Sequence, residues 1–158
     1  MANTTFQGVV RSYGGGGKGV VTPGPMTQSV QIAIDPTSAA TTGTPVRIGT
    51  SSSTGEQLIL PAGAMPISFM TIGGSAGGTN PTIDIGGIPA GGSLDADGLF
   101  NEVDCDTKGS LKGADGALVI AGGLAAQTTV TASVGASAAT SGTVVGVLTY
   151  AMANDGVE

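Results

Sequence analysis

A chain of 158 residues with 29 glycines and 40% apolar but only 3% aromatic residues is one domain whose core is built from small side chains. Five basic residues against 11 acidic ones, with a pI of about 4.2, leave no basic patch to neutralise phosphates, which argues against nucleic acid and anionic membranes as partners. With no histidine in the chain, Ser-His-Asp and Cys-His catalysis and histidine-bearing zinc sites are excluded.

Small side chains each bury little area, at roughly 25 cal/mol per Å² of apolar surface. Many glycines add to the entropy lost on folding. Contacts with other subunits are therefore expected to supply part of the stability. Only 10% of the residues are charged, so Ser, Thr, Gly, Asn and Gln cover most of the surface. The opening MANTTFQGVV has neither a basic nor a long apolar region of the secretory kind, and no run approaches transmembrane length. The expectation is a protein made in a cytoplasm and not exported by that route.

Residues 1–27 read as an arm, with the folded domain over 28–158. Phe6, Val9, Tyr13 and Val20 are sparse apolar residues around the glycines of 14–17. Four successive glycines hold neither a helix nor a packed strand. The arm is either a disordered tail or a segment that orders on a neighbouring subunit through those anchors. Its SYGGGGKG lacks the first glycine and the Ser/Thr of a phosphate-binding loop, which leaves a linker.

Residues 29–35 alternate Val30, Ile32 and Ile34 with Gln31, Ala33 and Asp35, a strand with one wet face that Pro36 ends. A short strand is expected over 45–50. Residues 57–60 lead to the bend Pro61-Ala-Gly. Residues 66–72 are apolar on both faces through Ile67, Phe69, Met70 and Ile72, as in a strand covered on both sides. A Gly/Ser/Thr/Asn loop over 73–81 leads to a return strand at 82–86, with Ile83 and Ile85 inward and Asp84 outward. Together these read as a β-hairpin with a wide loop.

Residues 86–116 read as irregular and carry most of the acid. ALVIA at 117–121 reads as a short buried strand. Residues 127–134 alternate cleanly. Residues 142–153 read as the longest strand candidate, with Val144, Leu148, Tyr150 and Met152 on one face and Val145 and Val147 on the other. No helix is expected, and the irregular Gly-Gly spacing argues against a solenoid. Seven or eight strands with turn signals between them predict an all-β fold, a jelly-roll-like β-sandwich. Ile67, Phe69, Met70 and Tyr150 are expected in its core or an oligomer interface.

The acidic stretch is the one candidate metal site. Calcium takes six to eight oxygens, and Asp95, Asp97, Asp104 and Asp106 are the first choices. The other reading is a solvated acidic loop, with no cofactor at all. Cys105 is the only cysteine, so no intrachain disulfide forms. Its acidic neighbours Asp104 and Asp106 disfavour the thiolate, which suits a structural thiol. Lys18, Lys108 and Lys112 lie in Gly-rich or polar segments, as solvated charges rather than partners of a Ser–Lys dyad.

Three segments carry a family resemblance: LPAGA at 60–64, GGTNPTIDIGG at 77–87 and GTVVGVLTYAMANDG at 142–156. Together they resemble small virion proteins of tailed bacteriophages. The resemblance implies a β-sandwich or jelly-roll head protein that decorates or cements the capsid by binding between major capsid protein subunits. It also implies a homo-oligomer, trimer or dimer, on the capsid surface, with no enzymatic activity. The alternative is a receptor- or glycan-binding module of a tail or head fibre, for which Phe100 is the one aromatic placed to stack on a sugar.

Overall fold

The computed structural model describes residues 26–37, 43–74, 76–120 and 122–152. Phe6, Val9, Tyr13 and Val20 lie outside the described residues. Met26 and Thr27, expected in the arm, already belong to the first strand.

The chain forms β1 (Met26–Ile34), β2 (Thr44–Pro45), β3 (Arg47–Ile48), β4 (Ile59–Leu60), β5 (Ala64–Gly74), β6 (Thr82–Pro89), β7 (Asp95–Asp104), β8 (Leu111–Gly113), a one-turn helix α1 (Ala117–Ile120), β9 (Thr128–Val134) and β10 (Val144–Met152). All pairings are antiparallel. The first sheet runs β3-β1-β10-β5-β8, and the second runs β2-β9-β6-β7 with β4 also on β9. The protein is a β-sandwich. β2 and β3 are one run that changes sheet at Val46. There the Val46 N–H donates to the Val130 carbonyl (3.1 Å), and its own carbonyl accepts from Leu58 (3.1 Å).

Alternation places the core. Ile32, Phe69, Val144 and Leu148 of the first sheet meet Ile83, Ile85, Phe100, Val130 and Ala132 of the second, all fully buried. Phe69 and Phe100 bridge the two layers with ring centroids 6.3 Å apart, tilted by 57°. Gly146 lies against the Phe69 ring, where a Cβ would overlap it. Tyr150 and Met152 pack at the edge of the core, and the Tyr150 hydroxyl donates to Gln28 Oε1 (2.7 Å).

Four local expectations are corrected. The runs 58–72 and 82–87 do not pair as a hairpin: β5 pairs with β10 and β8, and β6 with β9 and β7. Both runs bury a face in the same core, but from opposite sheets, so the connection between β5 and β6 crosses between layers. Residues 86–116 are not irregular throughout. They hold the end of β6 with β7 and β8. Ile85 pairs with Phe100 while Gly87 pairs with Asp95, so four residues of β7 stand opposite Gly86. That bulge breaks the period of two on which strand detection depends. Of ALVIA, Ala117–Ile120 form α1 instead of a strand, because a short apolar run does not distinguish the two and Ala117 and Leu118 are good helix formers. Finally, Ala33 on the expected wet face is buried, since it is small and paired with Val145 on one side and Arg47 on the other.

Candidate assembly surface

Six large apolar side chains among the described residues are exposed, and four of them lie on β5 and β8: Met65 (39%), Ile67 (45%), Met70 (38%) and Leu111 (67%). Sheet pairing explains the grouping. Leu111 pairs with Met70 and Met70 with Val147, so these three share the outer face of the first sheet in one row. Ile67 is unpaired at the bulge between the pairs Thr149–Ser68 and Tyr150–Pro66. The strip extends about 17 Å along β5 from Met65 to Met70. A grouping of exposed apolar side chains on one sheet face is a candidate contact surface.

The run 66–72 therefore divides as a strand with two apolar faces should. Phe69 is fully buried, while Ile67 and Met70 stand on the outside with nothing over them among the described residues. The sequence marks β5 as apolar on both sides. It does not mark Leu111, which joins the strip because β8 is laid against β5 from 40 residues further along the chain.

The acidic residues do not converge. Asp95 pairs with Asp97 at the start of β7. Asp104 with Asp106 sits at the other end, about 17 Å away along the partner positions Gly87 to Thr82. Burial, then a hydrogen bond and charge from Asp97, raises the Asp95 pKa. At Asp104 burial pulls upward, but hydrogen bonds from Thr107 and Asp106 outweigh it and the pKa is lowered. Both backbone N–H groups donate to Asp104 Oδ1 at 3.0 Å, which makes this carboxylate the closure of a turn. Among the described residues no three His, Cys, Asp or Glu side chains are grouped to hold a metal ion.

A third set of carboxylates lies on the outer side of the second sheet. Glu102 adopts a positive φ of 56°. Its N–H donates to Asp84 Oδ1 (2.8 Å), and its carboxylate accepts from Thr82 Oγ1 (2.7 Å) and the Ala136 N–H (2.8 Å). It ties β7 to β6 and to the loop after β9, a structural role the sequence does not announce. Asp115 accepts from the Asn101 N–H (2.9 Å) and pairs with Lys112 at 2.7 Å, so this lysine is committed to an ion pair. Burial raises the Asp115 pKa, but the hydrogen bond from Lys112 and that from Asn101 leave it lowered.

Asp84 goes the other way. Burial raises its pKa above the ordinary 3.8, and the charges of Glu102, Asp97 and Asp115 add to this against the Glu102 N–H. The folded state therefore holds this proton to higher pH than the unfolded chain, and the Asp84 contribution to stability falls as pH rises above 3.8. Asp84→Asn is expected to melt at a higher temperature than the parent at pH 7, and equally at pH 3, in thermal unfolding followed by circular dichroism. A lower melting temperature at pH 7 would contradict this.

Cys105 is buried, and its thiol donates to the Val103 carbonyl (3.5 Å). Burial, with the charges of Asp104 and Asp106, pushes its pKa up to about 12. It is expected to resist a thiol-exchange reagent at pH 8 for hours in the native protein and to react fully in denaturant. Rapid native reaction would show that the end of β7 opens. Phe100, the aromatic expected to face a sugar, is fully buried against Phe69.

No family model matches the chain, and no curated protein matches it. It is similar to a solved structure of the capsid of Ralstonia phage GP4, with 19% identity over 82% of this chain and 85% of that chain and a TM-score of 0.47. No helix among the described residues is long and apolar enough to cross a membrane.

Proposed function

We propose that this chain is a structural virion protein that decorates or cements the outer surface of a bacteriophage capsid, binding between major capsid protein subunits as a homo-oligomer. The observation that carries the reading is the apolar strip on the outer face of the first sheet. A low-charge β-sandwich with an apolar sheet face that none of the described residues covers is suited to be a part of something larger. The three segments resembling tailed-phage virion proteins supply the identity of that assembly. They land at defined structural positions: LPAGA turns from β4 into β5, GTNPTIDIGG enters β6 through Asn80 at φ 47°, and GTVVGVLTYAM holds β10.

The strand order supports the jelly-roll reading of the sandwich. The first long strand lies beside the last, and the chain changes sheet at every connection except that between β6 and β7. A non-enzymatic role is supported by the residues: there is no histidine, the one thiol is buried and its ionisation suppressed, and Lys112 is held by Asp115. The fibre reading loses support with the burial of Phe100, its one candidate stacking residue.

The reading is tested by mixing the purified chain with capsids that lack it and separating them on a density gradient. Saturable co-sedimentation with the capsid is the expected result. A chain that stays at the top of the gradient at all concentrations would overturn it.

A further inference from the structure

The same sequence holds a segment with the chemistry to cover the strip. Residues 1–25 precede β1, and they combine apolar side chains with two basic residues, Arg11 and Lys18, and no acidic one. Residues 26–152 carry nine carboxylates and three basic side chains, a formal charge of −6 against +2 for residues 1–25. The two parts of the chain are thus complementary in charge, and the apolar groups of one match the uncovered apolar strip of the other. Segment 6–13, FQGVVRSY, concentrates the larger ones: Phe6, Val9, Val10 and Tyr13 around Arg11.

The place where the chain enters β1 fits as well. Thr27 pairs with Ala151 and Ala151 with Met65, so residue 26 stands two strands, about 10 Å, from the Met65 end of the strip. Twelve residues, 14–25, separate Tyr13 from Met26, a reach of up to about 40 Å. That is comparable to the diameter of a domain of this size, roughly 35 Å from a radius of gyration near 14 Å. A linker of that length is enough to carry the segment to an adjacent molecule.

We propose that the outer face of the first sheet, at Met65, Ile67, Met70 and Leu111, is the seat of segment 6–13 of a neighbouring copy of this chain. The donor is a neighbour because the inference rests on the strip being a contact between subunits, as in the functional reading above. Each copy gives its segment and receives one, an exchange that closes into a symmetric oligomer. The apolar residues of the segment lie on the strip. Arg11 and Lys18 bring the positive charge of the segment and its linker to a domain of net negative charge. Attraction between the +2 and −6 parts makes the exchange weaker in high salt.

The test uses the full chain with a photo-crosslinking phenylalanine analogue in place of Phe6, expressed in light- and heavy-nitrogen forms and mixed before illumination. Light–heavy crosslinked peptides joining position 6 to 64–74 or 111–113 are expected, with self-association weakened about tenfold by Met70→Lys. Crosslinks to the strip only within one chain, or light–heavy crosslinks only elsewhere, would overturn the proposal. The same analogue at Ile67, illuminated on capsids, separates this inference from the one beneath it. A crosslink from Ile67 to a different capsid protein, with none to segment 6–13, would overturn the segment exchange and leave the capsid role standing. No crosslink from Ile67 to any chain would overturn both.

Discussion

Phe69→Ala is expected to cost about 3–5 kcal/mol of folding stability, enough to leave the isolated chain largely unfolded at 37 °C. The reason lies in how little else fills the centre. The chain has three phenylalanines, no tryptophan and two tyrosines. Among the described residues Phe69 and Phe100 are the phenylalanines, and both are buried between the sheets. Around them stand Ile, Leu, Val and Ala, which cannot extend to fill a missing ring. The site is also pre-shaped for that ring, since Gly146 on the neighbouring strand β10 leaves its space to Phe69. Collapse after truncation would require β10 to approach β5, which their ladder from Val144–Gly74 to Met152–Ala64 prevents. Urea unfolding of the variant measures the loss. A cost below about 1 kcal/mol would mean that the two sheets are held by something other than the aromatic pair.

Ile67→Lys with Met70→Lys is expected to do the opposite: leave folding intact and abolish assembly. Both side chains are on the outer face, and surface substitutions of this kind change stability within about 0.5 kcal/mol. In the proposed assembly the same two positions lie at the centre of a covered apolar strip. Two desolvated anchors there are worth at least about 2 kcal/mol together, and burying an unpaired ammonium adds to the loss. Capsid attachment should weaken by about 100-fold or more, with the melting temperature unchanged within about 2 °C. Unchanged attachment would remove the strip from the contact. A fall in melting temperature with attachment retained would place these side chains in the core, against their exposure.

How much of the fold is legible in the sequence depends on whether a strand keeps its period. β1, β6, β9 and β10 alternate, and that alternation by itself picks out their inward residues Ile32, Ile83, Ile85, Val130, Val144 and Leu148. β7 gives no such signal, because its bulge opposite Gly86 puts Gly98, Leu99 and Phe100 in succession among the buried residues. Its aspartates give it the look of a solvent loop, yet Glu102 and Asp115 spend their carboxylates on local hydrogen bonds. The mistaken β5–β6 hairpin has a related origin: adjacent apolar runs with a turn between them specify two strands but not whether they share a sheet. The strip is half legible. Ile67 and Met70 stand out in a strand apolar on both faces, but Leu111 joins them only through the pairing of β8, a contact between distant parts of the chain that no local pattern encodes.

The claim that ties these features together is that the chain is a repeated component of a capsid surface. Its copy number in purified particles, measured by quantitative mass spectrometry against the major capsid protein, tests that directly. Closed symmetric assembly on a shell predicts a ratio of one copy per shell subunit or a simple fraction of it, hence on the order of hundreds of copies per particle. A count of about a dozen or fewer would contradict the account and place the chain in a tail or fibre.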